Sequence, residues 1–512
     1  MAYCTLLGNL LRFLFTQICI VLVTLINLVS LPLLTPVLVP VLIYRYVLNK
    51  IGPILRPQLG AMVTSRGAIF SGDALFERKR PKVNIVIQCR LNGRLDIDQA
   101  NKIAEERILS ARRDDGSLMY PELRQFPTTL GGFYFWEWDP TFDIWNHVKH
   151  HRIELGPDYC GDEDEPLAKF HEQLLQAEWP ERKPIWEIWV VDVDKGSSSP
   201  TRTTIFVKTH HSLTDGYSLL SLFSKFADVP YSSLENPIPA PVSRPLWKRV
   251  AFLTTFPLRT AYELSCVTVQ RYSPFVSLPF LVPSKHQHQS PMRYICTKPI
   301  SVDKVKAIKN HFRVTFTSVV NAALAGATRE LMISKGGTTA SHKARFPVMI
   351  PFPLPGHPEH ALRNYMAGAI ASLPIQEGDP VKRLKACDKD VAVMKRSTFP
   401  LLNKMGLKLI GSLPVALMRF VSRNWITSAW LTSFPAGKVE LNVDSVPMWR
   451  MQFGVGLYVG PTGLGFSVIT YRDEFNVSVT GDGTLFSGSD MAEMAHHLEE
   501  QINILYSKIV PV

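Results

Sequence analysis

Apolar residues run almost without interruption through the first fifty positions, and only later settle into the short periods of folded domains. From Leu6 to Ser30 the run is broken only by scattered polar residues, chiefly Asn9, Arg12, Gln17 and Asn27. About twenty apolar residues span a bilayer as a helix, so this stretch is long enough alone. Leu31–Leu48 stays apolar but carries Pro32, Pro36 and Pro40. Proline lacks the N–H that continues a helix, so a break is expected there. Two shapes fit: one span with a proline-rich interfacial exit, or a hairpin that enters and returns. A cleaved signal peptide fits poorly, because the apolar stretch is too long and no clear small-residue cleavage site follows a short core. Arg45, Lys50, Arg56 and Arg66 lie at or beyond its end, against Arg12 alone near its start. That asymmetry directs the bulk of the chain to the cytosol.

From about Lys82 the pattern is globular. Val83–Cys89 reads as a strand, Asn92-Gly93 as a turn, and Asp96 as the cap of a helix reaching about Ser110. Gly131–Trp138 is an aromatic strand at a pocket edge or in the core, and Leu167–Ala177 is helical. Pro184–Val193 and Thr203–Thr209 form a hairpin around Lys195–Pro200, followed by a helix at Tyr217–Ala227. Asn236–Pro245 is a proline-rich connector. Phe252–Val282 reads as a helix, on a membrane surface or in a core. Ser284–Pro291 marks a boundary, with His286 and His288 solvated.

The second half alternates in the same way. Helices are expected at Val302–Phe312, Thr317–Ser334, Asp379–Ser397 and Ser489–Ile509, and strands at Phe346–Phe352, Gln452–Val459, Gly463–Tyr471 and Glu474–Thr480. Leu402–Phe420, with Lys404, Lys408 and Arg419, has a basic amphipathic pattern suited to a membrane surface. The expected class is α+β in two lobes: residues 1–56 as a membrane anchor, 57–285 as the first lobe and 286–512 as the second.

Composition narrows this picture. A chain of 512 residues is too long for one ordinary core, and 46% hydrophobic with 20% charged residues excludes a disordered protein. The formal net charge of +12 attracts phospholipid headgroups or phosphate-bearing cofactors. No long basic run, zinc-finger spacing or RNA-binding signature points to nucleic acid. The 7 cysteines are scattered with no CxxC pair, which reads as reduced thiols, not a disulfide framework or zinc site.

The candidate chemistry sits in Val207–Leu219, VKTHHSLTDGYSL, at the end of a β-branched run. His211 is the candidate general base: an imidazole is available neutral near pH 7 and can take a proton as a hydroxyl attacks. Its other nitrogen must be held in one tautomer, which backbone carbonyls in a sharp turn can do. His210 reads as structural. Asp215 either orients the ring or anchors the loop by pairing with an arginine, and Gly216 permits a backbone closed to side chains. Neither HExxH nor another ligand triad suggests a metal. GxSxG, P-loop and GxGxxG patterns are absent from the sequence, so direct transfer through a ternary complex is the simpler mechanism.

HHSLTDG matches the HHxxxDG motif of the superfamily that includes chloramphenicol acetyltransferase, carnitine acyltransferases and peptide-synthetase condensation domains. Within it, the chain from about residue 80 onward resembles the wax ester synthase/diacylglycerol acyltransferase family. KPIWEIWVV at Lys183–Val191, TFTSVVNAALAGATR at Thr315–Arg329, RNYMAGAIASLP at Arg363–Pro374 and GLGFSVITYRDEF at Gly463–Phe475 carry the resemblance. The chain departs from the family at Thr317-Ser318, at Arg363 and in TSFPAG at Thr432–Gly437, around Ser433. The resemblance implies two chloramphenicol-acetyltransferase-like lobes with mixed sheets flanked by helices, and a tunnel with His211 at its middle. It also implies acyl-CoA as co-substrate, no permanently bound cofactor, and a long-chain alcohol or diacylglycerol as acceptor. Membrane lipids would surround such a protein, at the endoplasmic reticulum or a lipid droplet, with its lobes facing the cytosol. The rival reading is a non-enzymatic lipid-binding or tethering protein that keeps the fold, motivated by Thr317-Ser318 and Ser433. A condensation domain is disfavoured by the membrane anchor.

Overall fold

The computed structural model describes residues 2–73, 83–155, 163–194, 202–228, 245–272, 290–336, 345–358, 360–422, 427–458 and 462–509. The expected turn Lys195–Pro200, all but the last residue of Asn236–Pro245, and 284–289 with His286 and His288 lie outside them.

The apolar N-terminal run forms one helix, α1 (Ala2–Leu55). This corrects the expected break and excludes the hairpin. Pro32, Pro36 and Pro40 are four residues apart, so they share one face, and the missing N–H groups fall along that face while the ladder continues elsewhere. Two stretches of α1, Phe13–Ser30 and Leu38–Leu55, are each long and apolar enough to cross a membrane. At 1.5 Å per residue the helix is about 80 Å long, far more than one bilayer core. Its later half rests on the protein: Leu48 is buried with Phe133 and Phe135, and Arg45 donates to the Val63 carbonyl at 3.0 Å.

Next come β1 (Leu59–Met62), α2 (Ser65–Phe70, capped by Thr64) and β2 (Asn84–Leu91). The capping box of Asp96 and Gln99 starts α3 (Ile97–Ala104), which runs on through a π-type turn to Leu109. Then follow β3 (Gln125–Leu130), β4 (Phe133–Trp138), β5 (Val148–Glu154), α4 (Asp164–Gln176), β6 (Trp186–Asp194), β7 (Arg202–His210), α5 (Gly216–Phe226) and α6 (Leu246–Tyr272). The second half contains β8 (Met292–Cys296), β9 (Ile300–Ser301), α7 (Val302–Phe312), α8 (Phe316–Ser334), β10 (Phe346–Pro353), β11 (Met366–Leu373) and α9 (Pro380–Arg396). It ends with α10 (Phe399–Ile410), α11 (Val415–Val421), β12 (Ala429–Pro435), β13 (Leu441–Val443), β14 (Val446–Val455), β15 (Leu464–Tyr471), β16 (Glu474–Asp482) and α12 (Gly488–Ser507). The expected single segment Leu402–Phe420 is therefore two helices, because Gly411–Pro414 interrupts it and Pro414 caps the second.

The first lobe is a six-stranded sheet in the order β13-β14-β2-β7-β6-β5, and the second a seven-stranded sheet built on β11-β10-β12-β15-β16-β8, with β9 alongside β16. Both are mixed: β5–β6, β10–β12 and β12–β15 are parallel pairs among antiparallel ones. A small sheet, β1-β4-β3, supports α1. The sequential division into lobes needs one correction. β13 and β14 come from the C-terminal half yet extend the first sheet, with Val455 opposite Ile85 and Gln452 opposite Gln88. The second half thus reaches into the first, and the first sheet is not complete without that crossing, whereas the second is built from the C-terminal half alone.

α6 lies along α1, and Asn27 Nδ2 donates to Ser265 Oγ at 3.1 Å. From its other side Glu263 reaches the start of α10. One of its carboxylate oxygens accepts from Ser397 Oγ at 2.6 Å, Thr398 N at 2.8 Å, Thr398 Oγ1 at 2.9 Å and Phe399 N at 3.1 Å. The carboxylate therefore caps a helix on which it does not sit. Glu263→Ala should cost about 1–2 kcal/mol of stability, read as a lower thermal-unfolding midpoint. An unchanged midpoint would mean that water serves these donors equally well.

Candidate active site

β7 is an inner strand, between β2 and β6, and it ends on His210. The chain turns through 211–215 and at once starts α5, with Asp215 as its cap: Ser218 N donates to Asp215 Oδ1 at 2.9 Å. The motif is thus the corner between a central strand and a helix. A ring placed there is held by the sheet and reaches the space beyond its edge.

His211 is half-buried. Its backbone N–H donates to the Val83 carbonyl at 3.0 Å, and its ring stacks on Phe70 with centroids 3.9 Å apart. Asn364, from the second lobe and itself buried, grips the residue twice. Its Nδ2 donates to the His211 carbonyl at 2.8 Å, and its Oδ1 lies 3.0 Å from His211 Nδ1. A carbonyl oxygen only accepts, so the amide nitrogen must face it and the amide oxygen must face the ring. Nδ1 therefore carries the proton and Nε2 the lone pair. Burial pushes the His211 pKa down to about 4, so the ring is neutral at pH 7. A side-chain amide 153 residues away thus joins the backbone of His211 itself in holding the ring.

His210 is fully buried, and its Nδ1 accepts from Ser212, whose Oγ is at 2.8 Å and N at 3.2 Å. Asp215 anchors the loop, but a histidine takes the place expected for an arginine. His357 Nε2 lies 3.0 and 3.1 Å from its two oxygens, with both side chains buried. Tyr365 N adds a bond to Asp215 Oδ2 at 2.8 Å. His357, Asn364 and Tyr365 all come from the connection between β10 and β11, which closes over the motif. The reason for Gly216 also differs from the expected one. Its φ is not in the left-handed region; instead a Cβ there would lie 2.0 Å from Cζ of Phe434. Glycine is needed for space.

His211 lines a cavity of about 380 Å³ with Asp215, Gly216 and Tyr217. Its walls are mostly apolar, including Phe70, Trp430, Phe434 and Phe453, with Asn403, Thr432 and Ser433 as polar points. The departure at Ser433 therefore faces the cavity. Thr317-Ser318 does not line it; Ser318 Oγ donates to Asp388 Oδ1 at 2.7 Å near the start of α8. The aromatic strand Gly131–Trp138 also lies elsewhere, packing Phe133 and Phe135 under α1. Trp186 is a packing residue whose indole donates to the Leu123 carbonyl at 2.8 Å. Among the described residues no group of three or more His, Cys, Asp or Glu is placed to hold a metal.

Comparison with known proteins identifies the family. The wax ester synthase/diacylglycerol acyltransferase catalytic-domain model matches residues 112–252, and the WS/DGAT C-terminal-domain model matches 362–506. A putative diacylglycerol O-acyltransferase of Mycobacterium tuberculosis is 26% identical over 328 residues, spanning 59% of this chain and 67% of the relative. A probable diacylglycerol O-acyltransferase of the same organism is 24% identical over 320 residues, spanning 58% and 67%. Among solved structures, the wax ester synthase/diacylglycerol acyltransferase of Marinobacter aquaeolei superposes with a TM-score of 0.55 at 15% identity, covering 86% of this chain and 98% of that one. Trichothecene 15-O-acetyltransferase of Fusarium sporotrichioides gives 0.59 at 11%, covering 87% and 94%. The structural matches establish a shared two-lobed fold, and the two domain models lie one on each side of the cavity, contributing His211 and Asn364 respectively. The chain belongs to the wax ester synthase/diacylglycerol acyltransferase family and is an O-acyltransferase.

Proposed function

We propose that this acyltransferase moves a fatty acyl group from acyl-CoA to the hydroxyl of a long-chain alcohol or diacylglycerol, forming wax ester or triacylglycerol, with His211 as general base. The observation that carries the reading is the tautomer enforced by Asn364 at the wall of an apolar cavity. A neutral imidazole with its lone pair on Nε2 can accept the acceptor's proton as that oxygen attacks the thioester carbonyl. The tetrahedral intermediate expels the CoA thiolate, which takes the proton back from the imidazolium. Atoms balance with no covalent enzyme intermediate, and acyl-CoA acts as co-substrate. The apolar lining suits an alkyl chain and excludes the water that would hydrolyse the thioester.

Membrane attachment belongs to the same reading. α1 supplies two stretches long and apolar enough to span, with large apolar residues such as Ile26, Val29 and Leu33 exposed. Held in a bilayer, the protein meets its acceptor where that acceptor dissolves, with its two lobes on the cytosolic side. The non-enzymatic alternative rests on Ser433 at the cavity wall; it requires stoichiometric lipid binding without any ester formed.

The direct test supplies purified protein with labelled acyl-CoA and hexadecanol or diacylglycerol. His211→Ala should lower ester formation by roughly 10²- to 10⁴-fold; equal activity would remove His211 from the chemistry. Asn364→Ala should lower kcat by roughly 10- to 100-fold and leave KM for acyl-CoA nearly unchanged, because it loosens the base without touching the donor. The pH profile follows from the lowered pKa of His211. The base form exists above that pKa and is lost below it, so kcat/KM should hold level from neutral pH downward and fall with a midpoint near 4. A midpoint near the ordinary imidazole value of about 6.5 would mean that another group titrates.

A further inference from the structure

We propose that α10 and α11 form the wall through which the lipid substrate passes from the bilayer into the catalytic cavity, and that α6 seats this wall on an anionic bilayer surface. The proposal rests on the acyltransferase reading above.

These two helices have two faces. Leu407 and Ile410 of α10 and Val421 of α11 line the cavity that holds His211. The same helices expose Met405 by 56%, Leu417 by 46% and Phe420 by 68%. Val421 does both: it lines the cavity and is 39% exposed, so the cavity meets the surface there. A wall between a cavity and bulk water would carry polar residues on its outer face. Large apolar side chains on both faces fit a wall with lipid on both sides.

α6 extends this surface. It exposes Leu246, Trp247, Val250, Leu253, Leu258 and Tyr262. Over a few residues it touches both neighbours: Ser265 meets Asn27 of α1, Thr260 Oγ1 donates to or accepts from Thr398 Oγ1 at 3.1 Å, and Glu263 caps α10. Any element that holds α1 in a bilayer therefore also fixes the start of the cavity wall relative to that bilayer.

Charge identifies the occupant. α1 carries three Lys or Arg, α6 four, and residues 397–422 three, ten in all. The same segments contain one acidic residue, Glu263, and its carboxylate is turned inward onto the α10 N-terminus. Of the ten bases, Lys50, Lys248, Arg249, Arg259 and Lys408 are exposed, and these five, with Glu263 turned inward and a row of exposed apolar side chains, form the complement of an anionic lipid surface. A second copy of this chain would meet it with like charge.

The test uses the full chain with α1 intact and the double variant Leu409→Glu/Phe420→Glu. Leu409 of α10 is exposed like Phe420, and neither residue lines the cavity. Ester formation is compared for diacylglycerol or hexadecanol carried in phosphatidylcholine–phosphatidylserine vesicles and for short water-soluble alcohols, with the same acyl-CoA. The wild type should use both kinds of acceptor. The variant should lose about tenfold or more on the vesicle-borne acceptor and stay within about twofold on the soluble one; the soluble reaction also reports that it is folded. Wild-type rates should fall when phosphatidylserine is left out. Wild-type protein that esterifies no acceptor removes the acyltransfer reading itself. A wild type active on both, with a variant equal to it on vesicles or equally impaired on both acceptors, as with the milder Leu409→Ser/Phe420→Ser, overturns the wall alone. A variant that shifts molar mass by light scattering but keeps its vesicle rate would make this face a contact between copies, and would also overturn it.

Discussion

The arrangement of the site depends on one contact between lobes, the double grip of Asn364 on His211. The ring belongs to the first lobe by its strand and to the second by its tautomer. If the lobes separate by little more than the length of a hydrogen bond, Nδ1 loses its acceptor and the proton is free to move to Nε2. The other bonds from the same connection prevent this. Asp215 is held by His357 and Tyr365, and the Arg363 carbonyl accepts from Asp215 N at 3.2 Å and Ser218 Oγ at 3.0 Å. The crossing of β13 and β14 into the first sheet resists separation over a larger area. Several bonds between the lobes therefore converge on keeping one imidazole in one state.

Some of this was legible in the sequence. The strand–corner–helix course of Val207–Leu219 followed from its β-branched run and the apolar helical pattern after it, while the capping role of Asp215 emerged only in the structure. His211 stood out because paired histidines at such a corner have few uses. The partner of its ring was not legible, because Asn364 is 153 residues away and an asparagine in a loop carries no periodic signal. RNYMAGAIASLP drew notice only through resemblance, which marked Asn364 as retained without saying why. His357 was missed altogether; its one signal is a histidine in the Pro/Gly-rich stretch Pro353–Pro358, shortly before Asn364. Gly216 shows a different limit. Its need for glycine comes from the ring of Phe434, and a rule about dihedral angles cannot see a neighbour from another lobe.

The long helix fails in an instructive way. Proline was expected to break α1, because each lacks one N–H. Spacing decides the outcome: at intervals of four the gaps align on one face, and the helix continues on the others. β14 fails for the opposite reason. Its end was legible as a strand at Gln452–Val459, but strand periodicity does not say which sheet receives it, and the three-residue β13 was too short to show a period. Local signals thus identified elements well and partners poorly, and the site is made of partners.

A base with a pKa near 4 at rest is a weak base, and the structure explains why that suits a transfer from a thioester. The cavity that strips water from His211 also keeps the ring unprotonated at any physiological pH, so every molecule of enzyme is ready to accept. Asn364 is a neutral partner. It fixes the tautomer without the negative charge that a carboxylate would place on Nδ1, so the imidazolium is not strongly stabilised once formed. Asp215 sits close enough to favour the cation, but His357 and two backbone N–H groups already share its charge. A proton taken from the alcohol is therefore held loosely and passes readily to the departing thiolate. The low resting basicity and the apolar cavity are one design: a chamber dry enough for an alkyl chain cannot also hold a permanently charged base.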